Sequence, residues 1–241
     1  PSEAELLEDL GLMVGQGLRL IRLYDSGSNS RDVLGAIRRH GLPMKVALGM
    51  WLDAEVSNHL GCPWLTEPIE PAVLLANKAQ NEAEVARGIH LAQEFEGIVA
   101  AVNVGNEALV EWGDHMVPLD SGLAYVSQVK GAISQPVRVA ENYAWWIQSG
   151  AALGAELDFV GVHTYPAWEG KGIHEALAYT QANVDGVRAA LPGVPVAVYE
   201  AGWASVGAEF GARASEANQA RHFHAMKLWA AANAVTRVLC E

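Results

Sequence analysis

The sequence predicts an α/β fold, a (β/α)8 TIM barrel with its first strand absent and its eighth truncated. Three observations carry that reading. Short apolar, β-branched runs alternate with longer helical patterns along the whole chain. No run is followed by the Gly-rich turn of a nucleotide-binding sheet, neither G-x-G-x-x-G nor G-x-x-x-x-G-K-[ST]. Polar and aromatic residues instead collect at the C-terminal ends of the runs, where a barrel of this kind builds its site.

Each element has a local reason. Ser2 and Glu5 form a capping box before Leu6, Leu7 and Leu10, so the chain opens on a helix. Strands are expected at Leu18–Tyr24, Lys45–Trp51, Ile98–Asn106, Val137–Asn142, Phe159–His163, Val194–Glu200 and Val235–Glu241. Helical patterns lie near Asn29–His40, Ala79–Glu96, Ser121–Ile133, Trp145–Leu153, Ile173–Leu191 and Ser215–Asn233. Strict alternation of helix and strand implies crossover units and parallel pairing. The longest non-periodic stretch, Leu52–Asn77, contains Pro63, Pro68 and Pro71 and reads as a functional loop. No linker or composition shift divides residues 1–241, so a single barrel domain is expected. Seven strands leave the barrel one short, with two open edges. A longer parent chain, or another element in the first strand's place, is the expectation.

Composition narrows the partners. The chain has 241 residues, 51% of them apolar and 18% charged. Lys and Arg number 16 against 28 Asp and Glu, a net charge of −12, which repels a phosphate backbone. Nucleic acid is therefore not expected as a partner. No stretch reaches the length of a membrane-spanning apolar run. Cys62 and Cys240 cannot make a disulfide-dense scaffold. They could share a face of the barrel and pair, but two separate thiols are the default reading. The eight Trp suit stacking on flat apolar sugar faces as well as core packing.

The strand ends read Tyr24-Asp25, Trp51, Asn106-Glu107, Glu141-Asn142, His163-Thr164-Tyr165 and Glu200. Glu107 and Glu200 each close a nearly continuous apolar run. A carboxyl in the cup above a barrel is partly desolvated, which raises its pKa and suits a general acid. A single such Glu is as well explained as a loop carboxylate or helix cap. Two at equivalent ends, with Asn106 and Trp203 adjacent, point to catalysis.

Those segments resemble glycoside hydrolase family 17, the β-1,3-glucanases and β-1,3-glucanosyltransferases. Val104-Gly105-Asn106-Glu107 is similar to its acid/base motif, and Tyr199-Glu200-Ala201-Gly202-Trp203-Ala204-Ser205 to its nucleophile motif. Ala201 and Ala204 stand where that motif usually has Thr and Pro. Arg22-Leu23-Tyr24 and Asp158-Phe159-Val160-Gly161-Val162-His163-Thr164-Tyr165-Pro166 resemble two further strand motifs. Gly49-Met50-Trp51-Leu52 and Trp168-Glu169-Gly170 resemble bacterial members in particular.

The resemblance implies a retaining double displacement on β-1,3-glucan, with the two carboxyls roughly 5 Å apart. Glu200 would be the nucleophile and Glu107 the acid/base. Asn106 would bind the sugar 2-hydroxyl, Tyr165 would orient Glu200, and Tyr24 and His163 would line the cleft. Hydrolysis and glucanosyl transfer use the same residues and stay alternatives. A non-catalytic glucan-binding barrel is a remote third.

Trp51, Trp64, Trp145, Trp146, Trp168 and Trp203 are candidate sugar platforms, and about half of them are expected in the core. Trp168 and Trp203 lie just past strand ends and are favoured. Trp145 and Trp146 point about 100° apart on one helix, so one of them is expected to line the cleft. Asn142 is a further candidate for substrate binding, Glu141 is balanced against a loop role, and Glu241 is a weak candidate at the chain end. His222 and His224 diverge on their helix, and no metal-ligand spacing appears. No metal or cofactor is expected. The expected partner is a β-glucan oligosaccharide or polysaccharide, the protein acting as a monomer. A polymeric substrate implies a secreted or periplasmic location.

Overall fold

A computed structural model of the chain describes residues 2–207, 213–233 and 235–236. The elements run α1 (Glu3–Gly15), β1 (Leu20–Arg22), α2 (Ser28–His40), β2 (Lys45–Met50), α3 (Pro71–Glu94), β3 (Val99–Asn106) and α4 (Leu119–Lys130). They continue with β4 (Val137–Asn142), α5 (Tyr143–Ser149), α6 (Ala151–Gly154), β5 (Val160–His163), α7 (Ala176–Ala190), β6 (Val196–Glu200) and α8 (Glu216–Ala232). The fold class is the expected one, parallel βα units of a partial (β/α)8 barrel. The chain forms two compact units, one ending at Val139 and one beginning at Ala140.

In the first unit β1 lies parallel to β2, and β2 parallel to β3. Gly49 permits the close approach of β1's end, because a Cβ there would stand 2.5 Å from the Leu23 and Tyr24 carbonyl oxygens. Val33, Leu34 and Ile37 of α2, Val85 and Leu91 of α3, and Val46, Leu48, Met50, Val102 and Val104 of the strands are all buried. Each fully buried Leu or Ile contributes about 2 kcal/mol of transfer free energy. The start of β4 is set by Val102, whose N–H donates to the Pro136 carbonyl at 2.9 Å.

Glu55 anchors the long loop of this unit. Its carboxylate accepts from Tyr125 at 2.5 Å, Ser121 at 2.7 Å and Asn81 at 2.9 Å, with Lys78 at 3.5 Å. Burial pushes this carboxyl's pKa up, but the Tyr125, Asn81 and Ser121 hydrogen bonds and the Lys78 charge outweigh it, and the net shift is downward.

In the second unit β4 pairs with β5 and β5 with β6, all parallel. The β5–β6 register is Val162 opposite Val198, then His163 opposite Glu200. Tyr199 is the bulged residue, buried against Phe159 with ring centroids 6.0 Å apart. Val184, Val198, Ala201, Met226, Ala230 and Val235 form the core between strand and helices. Val198 donates to the Thr236 carbonyl at 3.0 Å, so a further backbone segment lies beside β6.

Several boundaries differ from expectation. The helix expected from Ala79 begins at Pro71, and the irregular stretch after β2 shortens accordingly. Pro71 opens the helix where its missing N–H costs nothing. The single helix expected over Trp145–Leu153 is two, divided at Gly150. The first strand shrinks to Leu20–Arg22. Most of the strand expected at Val235–Glu241, including Cys240 and Glu241, lies outside the described residues. Cys62 is a buried free thiol.

Candidate active site

In the first unit the candidate acid/base lies on a strained turn. Gly105 and Glu107 both have positive φ, +81° and +48°. A non-glycine residue in that region costs about 1–2 kcal/mol, so the surroundings must hold it there. They do so from three sides. Below, the Asn103 amide donates to the Gly105 carbonyl at 2.7 Å, while its own carbonyl oxygen accepts from buried Arg138 at 2.7 Å. From β1, the Arg22 guanidinium donates to Asn106 Oδ1 and lies 4.4 Å above the Tyr24 ring. From the following loop, His115 Nε2 lies 2.8 Å from the Asn106 carbonyl oxygen, and its Nδ1 lies 2.7 Å from Asp114 Oδ1. Trp51 stacks on the His115 ring at 4.6 Å.

Glu84 of α3 joins the tops of β1 and β2. It accepts from the Ser26 N–H at 2.6 Å and the Trp51 N–H at 3.2 Å, and pairs with Arg87 at 2.6 Å. Tyr24 is exposed and Trp51 half-buried at these strand ends. Trp64 is exposed on the long loop.

In the second unit Glu200 is 8% exposed. Tyr165 Oη donates to its Oε2 at 2.8 Å, and His163 Nε2 stands 3.6 Å from its Oε1. The Glu200 carbonyl accepts from the Thr164 N–H at 2.9 Å, and Asn183 donates to the Thr164 hydroxyl at 2.9 Å. The bulge at Tyr199 brings Glu200 level with His163. A cavity of about 230 Å³ opens beside this group, lined by Tyr165, Ala167, Trp168, Gly202, Trp203 and Ser205.

The aromatics divide. Trp168 is 69% exposed at the cavity's edge. Trp203 is buried with Ala167 and Ala176, and its indole N–H donates to the Arg213 carbonyl at 2.8 Å. Trp146 is fully buried and donates to the Gly161 carbonyl at 2.8 Å, while half-buried Trp145 meets its edge at 5.1 Å. Asn142 Oδ1 caps α5 through the Ala144 N–H at 2.9 Å, and Glu141 is fully buried. His222 is buried beneath Trp203, whereas His224 is exposed.

Sequence reasoning missed the supports. Arg138 and Asn103 are polar residues inside apolar strands, a signal that could have been read. Arg22 was legible only as part of a motif, and His115 lies in an aperiodic loop with no signal of its own.

The family model described as "BtgE/BtgC glycoside hydrolase domain" matches residues 1–241. A curated relative, "Probable beta-glucosidase btgE" of Aspergillus terreus, is 25% identical over 87% of this chain, which spans only 34% of that protein. Among solved structures, the endo-laminarinase from Formosa Hel1_33_131 is similar with a TM-score of 0.87 and 23% identity. That match covers 100% of this chain and 73% of the other. The glycoside hydrolase family 17 β-1,3-glucanosyltransferase from Rhizomucor miehei follows with a TM-score of 0.79, 22% identity, and coverage of 99% and 80%. An active-site mutant of the latter was solved in complex with laminaritriose.

Proposed function

Because the chain belongs to the BtgE/BtgC glycoside hydrolase domain family, we propose that it cleaves β-1,3-glucan by a retaining double displacement. Glu200 attacks the anomeric carbon as a carboxylate while Glu107 protonates the departing glycosidic oxygen. Glu107 then takes the proton of the incoming acceptor, and the glycosyl–Glu200 bond breaks.

The observation that carries this reading is the environment of Glu200. A buried carboxylate with Tyr165 donating to one oxygen and His163 beside the other is oriented and held ready to attack. Asn106 supports the same reading. Its Oδ1 is taken by Arg22, so its amide nitrogen is the donor presented to a sugar hydroxyl. Tyr24, Trp51 and Trp168 add aromatic surface, Trp203 backs the cavity, and Asn142 caps α5 at a strand end. The laminaritriose complex of a structural relative suits the choice of glucan.

Glucanosyl transfer is the second reading, favoured by the exposed Trp168 ring, which suits a sugar acceptor as well as a donor. Residues 1–241 are read as one catalytic domain, because the family model matches all of them. Among the described residues no helix is long and apolar enough to cross a membrane. A polymeric substrate favours a secreted or periplasmic location, and we read the domain as acting as a monomer.

Two experiments test this. Glu200→Ala should abolish turnover of laminari-oligosaccharides, and retained activity would sink the nucleophile assignment. Product analysis of the wild type separates the outcomes, since products longer than the donor mean transfer and shorter ones alone mean hydrolysis.

A further inference from the structure

The assignment of Glu107 as acid/base leaves open what keeps it in place, and the inference here rests on that assignment. Glu107 is the non-glycine residue with positive φ among the described residues. The angle φ relates the preceding peptide plane to the direction in which the side chain leaves the backbone. Whatever holds the Asn106 carbonyl therefore holds the direction of the Glu107 carboxyl. The group on that carbonyl is His115, at 2.8 Å through Nε2.

His115 is itself fixed on two more sides. Its Nδ1 lies 2.7 Å from Asp114 Oδ1, and its ring stacks on Trp51 at 4.6 Å with 28° between planes. A backbone carbonyl can only accept, so the contact to Asn106 is made by the tautomer that carries its proton on Nε2. The loop that carries it is pinned in turn. Val117 N–H donates to the Ala108 carbonyl at 2.8 Å, and the Glu55 N–H donates to the Met116 carbonyl at 2.9 Å. Asn58 donates to the Glu111 and Gly113 carbonyls.

We infer that His115, oriented by Asp114 and Trp51, is the positioning residue of the acid/base: by gripping the Asn106 carbonyl it holds the left-handed turn that aims Glu107. It touches neither substrate nor reacting atoms in this role. Without it the Asn106 carbonyl loses this anchor, and the Asn106–Glu107 peptide can relax toward negative φ and turn the carboxyl from the glycosidic oxygen.

The test uses leaving-group dependence, which a general loss of stability would not produce. One substrate is a laminari-oligosaccharide, whose sugar leaving group needs protonation. The other is a 2,4-dinitrophenyl β-laminaribioside, whose phenolate departs without it. His115→Ala should lower kcat/KM on the oligosaccharide by about 100-fold, the scale of an ångström-sized misplacement of a catalytic group. It should leave kcat/KM on the dinitrophenyl substrate close to wild type. His115→Gln, which keeps an N–H donor, should recover part of the loss. Equal losses on both substrates, or an unchanged oligosaccharide rate, would overturn the inference. If the alanine variant does not fold, Asp114→Asn decides by the same ratio. Glu107→Gln separates the two assignments. If it lacks the leaving-group dependence, the acid/base reading fails; if it has the dependence and His115→Ala does not, the positioning role alone fails.

Discussion

Glu200 stands opposite His163 because β6 slips by one residue against β5 at Tyr199. In an unbroken ladder Tyr199 would face His163, and the carboxylate would be one step further on. The slip costs a ladder position and turns Tyr199 into the core. In return, Glu200 lies within reach of both His163 and the Tyr165 hydroxyl. Bulges beside active sites commonly redirect a side chain in this way.

Tyr165→Phe removes the hydroxyl that donates to Glu200 at 2.8 Å. A hydrogen bond to a charged group is worth about 1.5–3 kcal/mol, so kcat/KM on laminari-oligosaccharides should fall roughly 10- to 100-fold. An unchanged rate would mean that Tyr165 does not orient Glu200.

Trp168 is 69% exposed, so its loss should hardly disturb folding. Trp168→Ala should raise KM for oligosaccharides roughly three- to tenfold, the scale of one aromatic stacking contact. Steady-state kinetics beside a thermal melt checks both halves of that statement.

His222 gives the second unit a pH dependence. Burial lowers its pKa from 6.5 to about 4. Between those values the unfolded chain binds a proton that the folded chain does not. Stability is therefore complete above pH 6.5 and falls as the pH drops toward 4, by up to about 3 kcal/mol. Urea unfolding at several pH values should show this slope, and His222→Leu should remove it.

Glu55 works with the same sign through a different cause. Its carboxyl lies below the ordinary 4.5 because hydrogen bonds from Tyr125, Asn81 and Ser121 outweigh its desolvation. Its contribution is complete above pH 4.5 and is lost as acid protonates it. Tyr125→Phe should destabilise the protein by about 1–3 kcal/mol. Protease nicking within residues 52–70 should accelerate in parallel, since Glu55 ties that loop to α3 and α4.

Local chemistry was enough to read much of this protein. The capping box at Ser2, the β-branched runs and the helical periodicities mark the elements, because each depends on residues a few positions apart. Glu107 and Glu200 were visible as carboxylates closing apolar strands. The angular divergence of Trp145 and Trp146 followed from helix geometry, and one of them is indeed core. The register of β6 on β5 was not visible, because a one-residue slip leaves the composition of both strands unchanged. Nor was the role of Trp203: a Trp just past a strand looks the same whether its indole N–H meets a sugar or, as here, the Arg213 carbonyl. The positive φ at Glu107 carries no local signature either, since the turn is held by contacts from Arg22 and His115 to Asn106 and from Asn103 to Gly105. Arg22 is distant in sequence, and only folding brings it, on β1, against Asn106, at the end of β3. Periodicity writes which segments form helix and strand; strain and register come from contacts that no single segment contains.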